Sequence, residues 1–183
     1  MKKIKDVPYA DVVTFFEKEH PVDESSPHFA GNKWAMKHLE WANEVAEGQW
    51  SLCELDSEDV LSIVLAHHSA EETGEELVGQ DGMLVYEVVN KLESAKESYS
   101  KNNPTCWKKI MYWHGKDFSP LLLSTKPTKE GKGRRSLVNS KLGSLFHQDG
   151  LHRVLCWGMD GRFNTDVYSG GKKLTAFIAG RVE

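Results

Sequence analysis

One stretch near the carboxyl end constrains the fold most, because it changes from strand to helix over a single polar turn. The pattern predicts a short strand over residues 142–147 and an apolar helical segment over residues 151–157. The turn between them contains Asp149 and Gly150. A sharp turn from strand to helix directs the unpaired N–H groups and the positive dipole end of the helix at one point. The stretch therefore predicts an anion-binding site at the turn.

Three kinds of chemistry meet at this turn. His147, Asp149 and His152 offer side chains that donate protons, accept protons or ligate metal ions. Arg153 carries a fixed positive charge, and Gly150 allows backbone N–H groups to approach a ligand closely. Structural explanations stay open, since an aspartate can cap a helix, a glycine can serve a turn and an arginine can form a surface ion pair. Capping does not explain the two histidines, which favours a functional site.

The composition predicts a single domain, residues 1–183, that is long enough to bury a core. The net charge is −4 and the pI is about 6.1, so the overall charge does not favour nucleic acid or an anionic membrane surface as a partner. The apolar runs are far shorter than a membrane span, and no apolar signal segment follows Met1. We therefore expect a cytoplasmic protein with neither a membrane partner nor a nucleic-acid partner.

The three cysteines lie far apart, and none belongs to a C-x-x-C pair. This spacing does not favour the usual kind of structural zinc site. We expect Cys53, Cys106 and Cys156 to be reduced thiols packed in the core.

Hydrophobic periodicity divides residues 1–103 into helices and a hairpin. The hairpin ends in His67 and His68, and adjacent residues on a regular strand point to opposite faces. These two histidines are therefore not expected to serve one site. The predicted elements are a strand at 3–7, helices at 8–19, 32–47 and 83–100, and paired strands at 50–55 and 59–67. Residues 60–65 could equally form a buried helical segment, but their β-branched side chains favour a strand.

Two loops contain candidate site residues. The loop over residues 20–31 carries Glu24 and His28, and it is either a solvated connection or an active-site loop. The loop over residues 126–135 contains Arg134 and is the only strongly basic stretch. Glycines among its cations predict mobility, so it is either a solvated hairpin tip or a loop that closes over phosphate groups.

The carboxyl-terminal half alternates between helix and strand. This order, together with the amino-terminal helices and hairpin, predicts an α+β fold: a single domain with a mixed β-sheet and flanking helices. Apart from the strand and helix that flank the turn, the predicted elements of this half are a helix at 105–114, strands at 119–124, 162–168 and 174–179, and a hairpin turn at 169–172.

The motif Asp149-Gly-Leu-His-Arg153, placed between a strand and a helix, resembles the phosphate-binding turn of the ParB/sulfiredoxin-like nucleotide-binding superfamily. The resemblance covers residues 104–183 and leaves residues 1–103 as a separate helical and hairpin part. Sulfiredoxin has a reactive cysteine where this chain has Leu151, so sulfinic-acid reduction is not expected. The resemblance implies that nucleotide phosphates contact Gly150, Leu151, His152 and Arg153.

The expected function is that of an ATP-dependent phosphotransferase acting on a small metabolite such as a free amino acid. Asp149 would hold Mg²⁺ or act as general base, and His152 would assist transfer. Glu24 would join the catalytic set, and Arg134 would contact the nucleotide from the basic loop. The expected cofactors are ATP and Mg²⁺, and the expected partners are the nucleotide and a small-molecule substrate.

Two alternatives remain open. In the first, His147, Asp149 and His152 ligate the metal of a non-haem enzyme, because His147 and Asp149 lie on the same side of an extended strand. In the second, the chain is a regulatory protein that binds a nucleotide without turnover.

Overall fold

A mixed β-sheet forms the centre of the protein, and helices cover both of its faces. The computed structural model describes residues 1–20, 29–128 and 144–182, and for 29–34 and 165–166 it describes the backbone alone. The strands are β1 Lys2–Asp6, β2 Trp50–Glu54, β3 Val64–Leu65, β4 His68–Ser69, β5 Glu76–Val78, β6 Met83–Leu84, β7 Leu121–Ser124, β8 Phe146–Asp149 and β9 Thr175–Ala179. The helices are α1 Tyr9–Glu19, α2 Phe29–Val45, α3 Ser57–Leu61, α4 Val85–Asn102, α5 Pro104–Met111, α6 Leu151–Met159 and α7 Thr165–Ser169.

Among the described residues, the main sheet has seven strands in the order β1-β2-β9-β7-β8-β3-β6. Strands β7 and β9 are parallel, as are β3 and β8, and the other neighbouring pairs are antiparallel. Strands β4 and β5 form a separate antiparallel pair. The mixed sheet with flanking helices confirms the predicted α+β class.

The central strands are buried on both faces, so successive side chains enter two different cores. On β7, Leu121 and Leu123 join the larger core, whereas Leu122 joins the smaller one. On β9, Ile178 joins the larger core and Phe177 packs against the smaller one. A single strand of apolar residues therefore connects the two layers of helices.

Helices α1 and α2 supply the smaller core. Val12 and Phe16 of α1 are buried together with Leu39 and Ala42 of α2, and Trp50 of β2 closes this layer. The carboxyl end of α1 brings Glu19 and the following His20 towards the end of β8. This placement matters for the site, because it puts amino-terminal side chains beside the predicted turn.

Helices α4, α5 and α6 cover the other face and supply most of the larger core. Val88 and Leu92 of α4 pack with Ile110 of α5, and Leu155 and Trp157 of α6 complete the layer. All three cysteines are buried free thiols, which confirms that prediction.

Two predicted strands are helical in the structure. The first half of the strand predicted at 59–67 is instead α3, and its start is secured by Asp56 and Asp59, which form reciprocal hydrogen bonds as a capping box. Local capping therefore outweighs the β-branched residues that follow. The second half is β3, which is only two residues long.

The strand predicted at 162–168 and the hairpin turn at 169–172 are also wrong. The chain turns at Gly161 and forms α7, and Tyr168 is buried within the larger core. Its hydroxyl donates a hydrogen bond to the Leu55 carbonyl at 2.8 Å and accepts one from the Leu174 N–H at 2.8 Å. These two bonds favour a compact turn over a hairpin. The predicted last strand is confirmed as β9.

Within the described ranges, every helix is too short or too polar to cross a membrane.

Candidate functional site

The predicted change from strand to helix is present at Gly150. Strand β8 spans Phe146–Asp149, later than the strand predicted at 142–147. Helix α6 begins at Leu151, and Gly150 between the two elements has φ +104°. A Cβ atom there would lie 2.6 Å from Cδ2 of Leu121 and 2.7 Å from Nε of Arg153. Both the left-handed backbone and the lack of space require glycine. The turn is therefore tightly packed against β7 and against the Arg153 side chain.

Arg153 lies beneath this turn and is only 2% exposed. Its Nη1 donates to Oε2 of Glu19 at 3.0 Å, and its Nη2 donates to Oδ2 of Asp149 at 3.2 Å and to the Pro120 carbonyl at 2.6 Å. Two carboxylates thus surround one guanidinium. Since its charge is already compensated, this arginine is poorly suited to hold a phosphate.

Asp149 is shared between Arg153 and His20, whose Nε2 lies 3.1 Å from Oδ2 of Asp149. Burial by itself raises the pKa of the Asp149 carboxyl, but the hydrogen bond with His20 and the charge of Arg153 outweigh it and hold the pKa well below its usual range. Asp149 is consequently ionised and a weak proton acceptor near neutral pH. We call Glu19, His20, Asp149 and Arg153 the ion-pair cluster.

His152 belongs to a different group, although it follows the same turn. Its Nε2 lies 3.7 Å from Sγ of Cys106, and Nε2 of His68 lies 3.7 Å from the same sulfur. One ring nitrogen from each histidine and the sulfur all lie within 4.8 Å of one another. The two imidazole rings meet edge to face, with centroids 5.3 Å apart. We call His68, Cys106 and His152 the ligand triad.

Three elements from distant parts of the chain hold the triad together. His68 lies on β4, Cys106 lies in the first turn of α5, and His152 lies in the first turn of α6. The buried Asn103 links the first two elements, because its Nδ2 donates to Oε2 of Glu75 at 2.7 Å and its Oδ1 accepts from Thr73 at 2.6 Å. The loop after β4 is thereby fixed to the start of α5.

The imidazole that α6 contributes to the triad, His152, is uncharged. Burial lowers the pKa of His152 to about 3, and the nearby His68 and Lys109 act in the same direction. At neutral pH the His152 ring is therefore neutral and retains a lone pair for a ligand. Burial raises the pKa of the Cys106 thiol, while a hydrogen bond from the Tyr99 hydroxyl to its sulfur, at 3.2 Å, opposes that effect.

A family model described as a family of unknown function, DUF6309, matches residues 1–183. The chain belongs to the DUF6309 family. No curated protein matches it, and no solved structure matches it. The likeness of this DUF6309 member to the ParB/sulfiredoxin-like superfamily therefore stays a prediction.

The sequence interpretation identifies one member of the ligand triad and misses the other two. Cys106 is expected from sequence to be a core thiol only, and no spacing motif connects it with His152 at a separation of 46 residues. The expectation that His67 and His68 serve different places is confirmed, since Nε2 of His67 lies 3.2 Å from Oε1 of Glu76, outside the triad. The only sequence signal for the triad is that histidine and cysteine are residue types that ligate metal ions.

Some of the remaining predicted site residues of this DUF6309 member are described by the structure, and others lie outside the described residues. His147 and Asp149 lie on the same side of β8, as expected from alternation. Among the described residues, two groups of metal-ligating side chains converge within 4.8 Å, and neither group includes His147 or Asp149. Leu151 packs partly against the larger core. Glu24, His28 and Arg134 lie outside the described residues, as does most of the basic loop 126–135.

Proposed function

We propose that this DUF6309 protein binds a transition-metal ion, best matched by Zn²⁺, through His68, Cys106 and His152. The observation that carries the proposal is the pair of equal distances, 3.7 Å, from the Cys106 sulfur to the two histidine nitrogens.

These distances fit a tetrahedral ion closely. Zinc binds sulfur at about 2.3 Å and imidazole nitrogen at about 2.0–2.1 Å, which for a tetrahedral angle separates the sulfur and nitrogen ligands by about 3.6 Å. The two measured separations exceed this value by about 0.1 Å. The ligand atoms would therefore need little movement to accept the ion.

The ligand types favour zinc over the ion expected from sequence. One thiolate and two imidazoles suit zinc and related borderline ions, whereas Mg²⁺ prefers six oxygen ligands. His152 is neutral, as a ligand must be, and Cys106 would lose its proton when the ion binds.

Tyr99 supplies a supporting contact. Its side chain is buried, and its hydroxyl donates to Sγ of Cys106 at 3.2 Å. A hydrogen bond to a ligating sulfur stabilises the thiolate and fixes its orientation. Tyr99 is thus a positioning residue that would strengthen metal binding without touching the ion.

Three protein ligands leave a fourth tetrahedral position for water, and zinc lowers the pKa of such a water to about 7. The reaction class proposed is accordingly hydrolysis of a polar small molecule by a metal-activated water. Lys109 and Glu71 form an ion pair, and their charges act on His152 and Cys106 respectively. These two charged groups are suited to orienting a substrate or moving a proton.

Metal content tests the proposal. After treatment with a chelator and reloading with Zn²⁺, the purified protein should retain about one tightly bound equivalent, as measured by elemental analysis and calorimetry. Cys106→Ser and His152→Ala should each abolish tight binding. Cys53→Ser provides the control, because Cys53 is an equally buried thiol on β2, away from the triad. Tight zinc binding that survives Cys106→Ser would contradict the proposal.

Nucleotide binding at the turn is the second candidate. It is favoured by the start of α6, where a left-handed glycine precedes the helix and no side chain caps the free N–H groups. Because Arg153 is already paired, the phosphate charge would have to be met by another cation, such as Arg134. In this ParB/sulfiredoxin-like interpretation, Asp149, His152 and Glu24 would act on ATP and Mg²⁺.

Calorimetry with Mg²⁺-ATP distinguishes this candidate from the metal site. Binding that Arg134→Ala weakens and that Cys106→Ser leaves unchanged would support a nucleotide site at the turn. The absence of binding for every common nucleotide would end it.

A further inference from the structure

A second group of ligand-type side chains lies farther along the same two helices. Nδ1 of His114 is 2.7 Å from Oδ1 of Asp160, and Sγ of Cys156 is 4.0 Å from Oδ2 of Asp160. One ligand atom from each residue lies within 4.8 Å of the other two. This second ligand group shares no residue with the ligand triad.

The interface between α5 and α6 explains why both groups exist. His152, Cys156 and Asp160 are spaced by four residues, so they follow one another along one face of α6. Cys106, near the start of α5, meets the first of them, and His114, just beyond the end of α5, meets the last. The stretch from His152 to Asp160 corresponds to about 12 Å of helix, which is too long for the two groups to form one two-metal centre.

We propose that His114, Cys156 and Asp160 form a second metal site, which takes a borderline divalent ion such as Zn²⁺ or Co²⁺. Thiolate, imidazole and carboxylate are all zinc ligands. The thiolate and the carboxylate together balance the two positive charges of the ion, so the occupied site would be neutral. This favours occupancy beside the apolar larger core, in which Cys156 is buried.

The second site should bind more weakly than the ligand triad. The His114 side chain is 64% exposed and must be ordered to bind. The Asp160–His114 hydrogen bond has to open, since 2.7 Å is shorter than the roughly 3.3 Å between two ligands of a tetrahedral zinc ion. The positive charge of Arg162 also acts on Cys156 and opposes a nearby cation. We therefore expect an exchangeable site next to a tight one.

Titration with Co²⁺ tests the inference, because a thiolate ligand gives a charge-transfer absorption that oxygen and nitrogen ligands do not. The chelator-treated protein should bind about two thiolate-ligated equivalents, one tightly and one weakly. His114→Ala should remove the weak equivalent and leave the tight one, and Cys156→Ser should do the same. His68→Ala should have the opposite effect. The matched control is His67→Ala, a neighbouring histidine that belongs to neither group.

The outcomes separate this inference from the proposed function. A weak equivalent that persists in His114→Ala, or a wild-type protein with only the tight equivalent, overturns the second site. The wild-type protein could instead bind a single thiolate-ligated equivalent. If His114→Ala removes that equivalent and His68→Ala does not, the second site is supported and the ligand triad is refuted. His114 is exposed, so its substitution should leave the circular dichroism spectrum unchanged.

Discussion

The ion-pair cluster and the ligand triad meet at one turn and differ in the groups that contact their central residue. In the ion-pair cluster, Arg153 is enclosed by Glu19, Asp149 and a backbone carbonyl. In the ligand triad, a thiol lies between two imidazoles. Removing one partner from a buried ion pair destabilises the fold, whereas a thiol and two imidazoles that converge on one point are suited to binding a metal cation.

Two adjacent residues have different roles in these two groups. His152 and Arg153 are neighbours in the chain, but a helix turns about 100° per residue, so they face different surroundings. Arg153 faces the end of α1, and His152 faces the start of α5. Stability and metal binding should therefore respond to different substitutions, which the following predictions test in order of expected size.

Removing the charge of the ion-pair cluster should have the largest effect. Arg153→Met removes the cation from Glu19 and leaves Asp149 with His20 alone, and breaking a buried ion pair from one side costs about 3–5 kcal/mol. Urea unfolding measures the loss. Arg181→Ala, at an exposed arginine, is the control and should change the free energy of unfolding by no more than about 0.5 kcal/mol. Equal losses in the two variants would mean that the cluster contributes little to stability.

Zinc should stabilise the protein through the ligand triad and not through the ion-pair cluster. At a free concentration of about 100 times Kd, the ion should raise the free energy of unfolding by about 2.7 kcal/mol. For a chain of this length, each kcal/mol raises Tm by about 2–4 °C. Scanning calorimetry should show this rise in the wild type and in Asp149→Asn, but not in Cys106→Ser. A rise that disappears in Asp149→Asn as well would join the two clusters into one site.

The turn that separates the clusters should tolerate only glycine. Gly150→Ala forces a side chain into a left-handed backbone and against Leu121 and Arg153, at a cost of about 1–3 kcal/mol. Gly170 has φ −92°, and a Cβ atom added there would meet no other atom within 4 Å, so Gly170→Ala is the matched control. Chemical denaturation of both variants measures the difference, and similar stabilities would show that the turn can relax.

The protonation of His152 should give the smallest effect, measured in metal-free protein. Its pKa is about 3 when folded and about 6.5 when unfolded, so the unfolded chain binds the extra proton and acid destabilises the fold. Between pH 6.5 and 5.5 this group should remove about 1 kcal/mol of stability. His152→Gln cannot titrate and should show a correspondingly flatter profile. Identical profiles would place the ring in water rather than in the core.

Much of the fold could be predicted from local patterns. Helix α4 and strands β7 and β9 follow directly from apolar spacing and nearby stop signals. For α3 the pattern left strand and helix both open, and for α7 it predicted a strand. A capping box and a buried tyrosine, which involve only a few residues, decide these two conformations. Short elements depend most on such contacts, since they form too few hydrogen bonds to be stable alone.

The candidate site was predictable only in part. His152 follows a turn that the sequence already marks, but its partners lie 46 residues away at Cys106 and farther at His68. Arg153 was expected to face solvent or phosphate, and its partner Glu19 lies 134 residues away. No spacing rule reaches over such distances.

By itself, the sequence determined that a strand turns sharply into a helix at Gly150, because only glycine fits that backbone and the flanking residues have clear periodicities. The tertiary structure decided what the turn is suited to do. The packing of α1 paired Arg153 with carboxylates, and the packing of α5 placed a thiol beside His152. The physical reason is that ion pairing and metal ligation depend on separations of a few ångströms, which are set by the packing of distant elements and not by order along the chain.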